Sequence, residues 1–282
     1  MDIQYALYKR TPKKRANRLS DLSPKKGVFL RALIKGEWNY ADYFPHHNLG
    51  DRSCEVFLRD FYKQEDEYDQ KVLYHLQNDA IYRNQAFREF KNHQLFSGIE
   101  KLEAQVIKYK LFNSTDTFFH DLLKQGKILR LDANGMFSKE SFKAFVRDIP
   151  KDLISAIEYI EDPLKTHDWK DLEIPAAEDF IPGSPASFYI FKPNCEFLPG
   201  DRKKIIFSGY MGSNLGFFHA YSELIQKADL SLFHGVFVED FFEEESPFLE
   251  GSYQETFKAN SGKIQKIYDE LSHYDWKPLC SI

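Results

Sequence analysis

The chain has 282 residues, of which 43% are hydrophobic and 29% charged, with a net charge of −5. This is the composition of a globular protein with room for one large domain, or a barrel with a small partner, and its sign argues against a general nucleic-acid binder. No apolar run reaches the ~20 residues of a membrane span, the start MDIQYALYKRTPKKR lacks a secretory segment, and Cys54, Cys195 and Cys280 form neither a metal spacing nor an even disulfide set, so a cytoplasmic setting is expected.

Residues 2–9 and 27–35 read as strands, joined by a basic loop in which Lys9, Arg10, Lys13, Lys14, Arg15, Arg18, Lys25 and Lys26 crowd together. Such a charge run is usually a solvated loop; the sharper reading is a positive flap over an anionic substrate. A third strand is expected at Glu37–Tyr43 after a Lys35-Gly36 turn. Apolar residues from Cys54 to Asn78 recur at helical spacing, and a second helical stretch covers Ala80–Lys91. Strands followed by helices make the opening part α+β.

Beyond about residue 94 short apolar runs follow one another: HQLFSG, AQVIKYK, KILRLDAN, ISAIEYIEDP, IPAAED, SFYIFKP, KKIIFSG and LSLFHGVFVED. Eight candidate strands with one-way connections indicate a (β/α)8-type barrel. Helices fit at Thr115–Gln125, Lys139–Val146 and Leu215–Ala228. Phe96–Gln105 and Pro193–Lys204 are too short for a full crossover, so a barrel with some reduced outer helices is expected. The division is 1–94 and 95–240, with the segment 241–282, helical around Gly262–Leu271, returning to the first part.

Several of these apolar runs end on a charge: Lys110, Asp132, Glu161, Asp179 and Lys192. In a parallel barrel the carboxyl ends of the strands meet at one face, where catalytic groups gather. Residues two apart share a face, which adds Lys108 and Arg130. One Asp or Glu after a strand is usually a turn residue or a helix cap, but the ordered set is harder to obtain by accident. Three carboxylates converging there repel one another unless a cation joins them; oxygen-only ligands favour Mg²⁺. A metal that stabilises an enediolate, beside a lysine that removes the α-proton, is a known pairing.

These motifs resemble those of the enolase superfamily. VIKYK looks like its Lys-x-Lys motif, LRLDAN like its first metal-ligand motif, and IEYIEDP like its second. LRLDAN and the Lys-Pro ending of FYIFKP resemble the o-succinylbenzoate synthases within it. The resemblance implies an N-terminal capping domain for KKGVFLRALIKGEWNYADYFP and a Ser/Gly loop for FSGYMGSNLG. It also implies Lys110 as general base, Lys108 tuning it and Lys192 as the cation across the ring. Asp132, Glu161 and Asp179 would hold Mg²⁺, with Glu178 a rival for the third place. Arg130 and Asn134 would support the first ligand, while Ser208, Gly209 and Ser213 would contact substrate. Arg15 and Arg18 would close over a small-molecule dicarboxylate, and His46 and His47 would be surface residues of the neighbouring loop. The activity implied is dehydration to o-succinylbenzoate for menaquinone biosynthesis, in a protein that could act as a monomer. The alternatives are racemisation of N-succinylamino acids or a related epimerisation, and, more distantly, a non-catalytic scaffold suggested by the acidic stretch Glu239, Asp240 and Glu243–Glu245.

Overall fold

The computed structural model describes residues 1–13, 22–96, 102–111, 113, 117–181, 183, 185–200, 204–210, 212–236, 242 and 248–280. Arg15, Arg18 and the acidic stretch lie outside them. Among the described residues no helix is long and apolar enough to cross a membrane.

Strands β1 (Ile3–Arg10), β2 (Lys25–Ile34) and β3 (Glu37–Tyr43) form an antiparallel meander. The β2–β3 turn has φ of 53° at Lys35 and 85° at Gly36. Positive φ at both central residues is what a tight hairpin turn needs, and the glycine adopts it without strain. Helices α1 (Cys54–Asp60) and α2 (Glu67–Asn84) cover one face of this sheet, burying Val28, Leu30, Ala32, Phe57, Phe61, Val72 and Leu76 in one cluster.

The helical region divides differently from the sequence expectation. The break falls at Gln64–Asp66, where Gln64 is left-handed and Asp66 caps α2 by accepting from the amide of Tyr68. The helix then runs unbroken through Asp79 and Ala80. Asp79 is buried, but it does not end the helix because the Tyr40 amide, His219 and the Tyr268 hydroxyl satisfy its carboxylate.

The second part contains β4 (Lys91–Asn92), β5 (Gln94–Phe96), β6 (Val106–Lys110), β7 (Ile128–Asp132), β8 (Ile157–Glu161), β9 (Ala176–Glu178), β10 (Phe188–Phe191), β11 (Ile205–Phe207) and β12 (Phe233–His234). Strands β5 to β11 form one parallel sheet in sequence order. Backbone bonds curl it shut through β12. Gly235 donates to Phe207 O at 2.8 Å, Gly209 donates to Gly235 O at 2.9 Å, and His93 donates to His234 O at 2.7 Å, while β12 pairs with β4 in parallel. The result is a (β/α)8-type barrel whose first strand is β4 and β5 together.

The outer ring is incomplete. Helix α3 (Phe119–Lys124) follows β6, α4 (Lys139–Arg147) and the single turn α5 (Lys151–Ile154) follow β7, and α6 (Asn214–Lys227) follows β11. Among the described residues no helix lies between β5 and β6, or between β8 and β11. Apolar loop residues replace helices there: Leu164, Trp169 and Ile174 are buried in the main core. The Trp169 ring lies so close to Gly183 that a side chain there would sit 2.2 Å from it. Losing a buried ring of this kind costs ~3–5 kcal/mol. Inside the barrel Tyr159, Ala177, Phe188, Ile190 and Ile206 form a separate plug.

After the barrel, β13 (Leu249–Gly251) and β14 (Phe257–Ala259) make a hairpin, followed by α7 (Ser261–Ser272) and β15 (Lys277–Pro278). Strand β15 pairs with β1, so the end of the chain supplies the fourth strand of the opening sheet.

Candidate active site

Register places the charged residues. Lys110 pairs with Asp132, Asp132 with Glu161, and Glu161 with Ala177. Neighbours across a parallel ladder share a face, and the face alternates along each strand. Ala177 belongs to the inner plug, so Lys110, Asp132, Glu161 and Asp179 all point inward, whereas Glu178 has the opposite parity. The same argument along β10 and β11 sends Lys192 and Ser208 inward after Ile190 and Ile206. These side chains, with Lys108, Asn134 and Gly209, line a pocket of about 690 Å³ at the carboxyl ends of the strands, open to solvent.

The charges are interlocked. Lys108 Nζ donates to both Glu161 oxygens at 2.7 Å and lies 3.4 Å from Asp132 Oδ2. Lys110 Nζ is 3.1 Å from that same Oδ2. Lys192 Nζ is 2.9 Å from Asp179 Oδ1 and reaches Ser208 Oγ at 3.5 Å. Burial raises the Asp132 carboxyl, but Lys110 and Lys108 outweigh it and hold it at about 2. Glu161 goes the other way, to about 7, because burial and the carboxylates of Asp132 and Asp179 outweigh Lys108. Burial also raises Asp179. Burial works to lower Lys108, yet Glu161, Asp132 and Asp179 hold its ammonium well above the usual lysine range.

Other expected residues divide. Asn134 donates to Asp132 Oδ1 at 2.5 Å and takes a left-handed φ of 46° to do so, a conformation asparagine tolerates. Arg130 does not brace Asp132. Its guanidinium lies beneath the mouth, where it donates to Glu158, to His93 and to Phe233 O, because its partner across the ladder is Lys108, one layer deeper than Asp132. Ser213 is likewise drawn away from the pocket. It caps α6, and both its amide and its hydroxyl donate to the buried Asp42 of β3.

The pocket is also lined by His46 and by six residues that no sequence motif marks: Leu49, His93, Leu95, Phe180, Tyr210 and Gly235. His46 is a correction. It is half-buried at the mouth, with Nε2 3.1 Å from Tyr210 O, while His47 is exposed. Asp162 is a second omission. Its carboxylate accepts the amides of Asp179, Phe180 and Ile181 at 3.0, 3.0 and 3.3 Å, and burial and Glu161 push it up to about 6. The Glu-acid-Pro run was the available signal; the clamp it makes spans 17 residues of chain.

The donor set suits a hard divalent cation. Asp132, Glu161 and Asp179 are buried carboxylates at three adjacent strand ends, an oxygen-only donor set of the kind such a cation takes. Among the described residues no three His, Cys, Asp or Glu groups are already gathered around one point. The Lys108 and Lys192 ammonium groups rest on Glu161 and Asp179, so an entering cation competes with them.

Comparison with known proteins agrees with this fold. No family model matches the chain. It is 28% identical over 189 residues to an o-succinylbenzoate synthase of Bdellovibrio bacteriovorus, covering 57% of this chain and 56% of that protein, so the match spans about half the relative's length. The o-succinylbenzoate synthase of Thermosynechococcus elongatus BP-1, solved with magnesium in the active site, superposes with a TM-score of 0.68 over 96% of this chain and 100% of that one, at 14% identity. The L-Ala-D/L-Glu epimerase of Bacillus subtilis gives 0.63 at 12% identity over 92% and 95%. A protein of Enterococcus faecalis V583 described as an unknown member of the enolase superfamily gives 0.68 at 12% identity over 99% of each chain. The chain has the two-part fold of the enolase superfamily, barrel and capping domain together, and in sequence it is similar to an o-succinylbenzoate synthase.

Proposed function

We propose that the protein is a Mg²⁺-dependent o-succinylbenzoate synthase, acting in menaquinone biosynthesis in the cytoplasm. It would convert 2-succinyl-6-hydroxy-2,4-cyclohexadiene-1-carboxylate to o-succinylbenzoate and water. The observation that carries this reading is the pair of lysine faces. Lys110 approaches Asp132 from one side of the carboxylate row, and Lys192 approaches Asp179 from the other.

Asp132, Glu161 and Asp179 are the residues that would hold the metal. When bound, Mg²⁺ would supply positive charge to the substrate carboxylate and so make the α-proton acidic. Lys108 is held charged by Glu161 and Asp132, which suits it to electrostatic support and leaves proton transfer to Lys110. Lys110 would take the α-proton at its Nζ. The electron pair left behind would expel the ring hydroxyl, and the same Nζ would return its proton to that oxygen, so that water leaves from the same face. Lys192, charged and close to Phe180, would lie over the opposite face of the ring. The basic loop with Arg15 and Arg18 would attract the dicarboxylate.

The test is loss of the cyclohexadiene absorbance with purified protein, with and without Mg²⁺. Metal-dependent turnover that disappears in Lys110→Ala supports the reading, and an inert wild-type enzyme removes it. Lysines on both faces also suit racemisation of N-succinylamino acids, and two of the structural neighbours are described as L-Ala-D/L-Glu epimerases. Exchange of the α-proton with solvent deuterium from both stereoisomers would favour that second reading.

A further inference from the structure

Four inward positions form a row across the closing strands: Lys192 on β10, Ser208 on β11, Gly235 beyond β12 and His93 between β4 and β5. Ser208 bridges Gly235, and the β12–β4 register, which pairs His234 with Asn92, continues to Gly235 and His93. Gly235 has no side chain, and the imidazole of His93 occupies the space one would fill: a Cβ there would lie 2.3 Å from His93 Nε2. The ring is thereby laid toward the pocket that Ser208 and Lys192 also line.

The tautomer of His93 is fixed by its neighbour. Arg130 Nη1 is 2.9 Å from His93 Nδ1. A guanidinium only donates, so Nδ1 must accept, and the ring proton is on Nε2. Among the described residues Nε2 makes no hydrogen bond. The charged or titratable groups around the ring are Arg130, Lys108, His234 and Lys192; burial and these groups hold it neutral, far below the usual histidine range.

We infer that His93 is a substrate-binding residue, a neutral N–H donor that recognises an oxygen of the dicarboxylate on the Ser208 side of the mouth, away from the carboxylate row. This rests on the reading that the mouth takes such a substrate. The pocket supplies cations at Lys108, Lys110 and Lys192, and a neutral donor adds direction without adding charge.

Two substitutions separate this from a merely structural role. His93→Asn keeps an acceptor for Arg130 near Nδ1 but has no donor at the Nε2 position, whereas His93→Gln keeps a donor near Nε2. The expected result is a KM raised about ten- to hundredfold in His93→Asn, with kcat changed by less than about threefold, and a KM largely restored in His93→Gln. Normal kinetics in His93→Asn with loss in His93→Gln, or equal loss of kcat in both, would overturn the inference. Ring-nitrogen NMR of the wild-type protein, titrated with Mg²⁺ and o-succinylbenzoate, gives a readout free of variant folding. The Nε2–H resonance should shift on binding, and an Nδ1–H tautomer or an unmoved resonance overturns the proposal. If the wild-type enzyme is inert to the cyclohexadiene, the proposed function falls separately, and the same titration with an N-succinylamino acid decides the role of His93.

Discussion

Lys108 Nζ donates to both carboxylate oxygens of Glu161, 53 residues further along the chain, at 2.7 Å each. The pair is buried, so neither partner is free to lose the other. Removing one member of such a pair leaves an uncompensated charge, at a cost of ~3–5 kcal/mol. We expect Lys108→Met to lower the stability of the metal-free protein by about that amount, and Mg²⁺ to recover part of it. A melting curve of the variant that matches the wild type, with and without Mg²⁺, would contradict this pairing.

Lys110 is expected to behave differently. It contacts Asp132 at 3.1 Å but is more exposed than Lys108, and its substitution should be felt in turnover before stability. Lys110→Ala should reduce kcat by ~10²–10⁴-fold, the range of a general base, while Mg²⁺ still raises the melting temperature. Single-turnover kinetics and calorimetry together check both halves.

The raised pKa of Glu161 gives metal binding a pH dependence. Its folded value of about 7 lies above the ordinary 4.5. The associated stability is therefore present below pH 4.5 and lost as pH rises through about 7. Above that pH the carboxylate is ionised, and a cation can compete with Lys108 for it. The increase in melting temperature on adding Mg²⁺ should be larger at pH 8 than at pH 6. Glu161→Gln should remove the difference, and an equal increase at both pH values in the wild type would count against it.

His234 runs in the opposite direction. Burial, with Arg130 adding to it, depresses its imidazole from 6.5 to about 4, and it accepts the amide of Phe207 at Nδ1. A depressed folded pKa means stability present above 6.5 and lost as pH falls toward 4, up to roughly 3 kcal/mol for this single group. Comparing wild type with His234→Gln between pH 7 and pH 4 should give a shallower acid slope for the variant. Parallel slopes would show that other groups control acid unfolding.

Asp162 holds three successive amides of the Asp179 segment, and it does so from a left-handed φ of 43°. Asp162→Ala should free that segment and weaken Mg²⁺ binding by ~10–100-fold, as loss of a supporting group around a metal site commonly does. Titration calorimetry with Mg²⁺ checks it, and unchanged affinity would mean that Asp179 is positioned without the clamp.

The barrel strands were legible because each is a short apolar run that must be buried, and the carboxyl-end charges because they interrupt those runs at their last residue. Lys110, Asp132 and Glu161 stand out for that reason alone. Asp179 against Glu178 was not decided by sequence, since adjacent acids read alike until the Glu161–Ala177 register fixes the parity. Arg130 and Ser213 lie apart from the pocket for a related cause. Both are polar and close in sequence to site residues, but Arg130 lies a layer beneath the mouth and Ser213 is taken by Asp42 from the capping sheet. Nothing local in the sequence encodes either distance.

His46 and His93 mark the same limit. Neither belongs to a charged strand end, and each enters the pocket through contacts formed only when distant strands meet: His46 with Tyr210, and His93 over Gly235. The sequence by itself determined the barrel, its reduced helices and the inward row of charges, because side-chain alternation and burial are properties of each strand. The tertiary structure alone decided which polar groups complete the mouth, because ring closure through Gly235 and cross-strand register set their depth and direction.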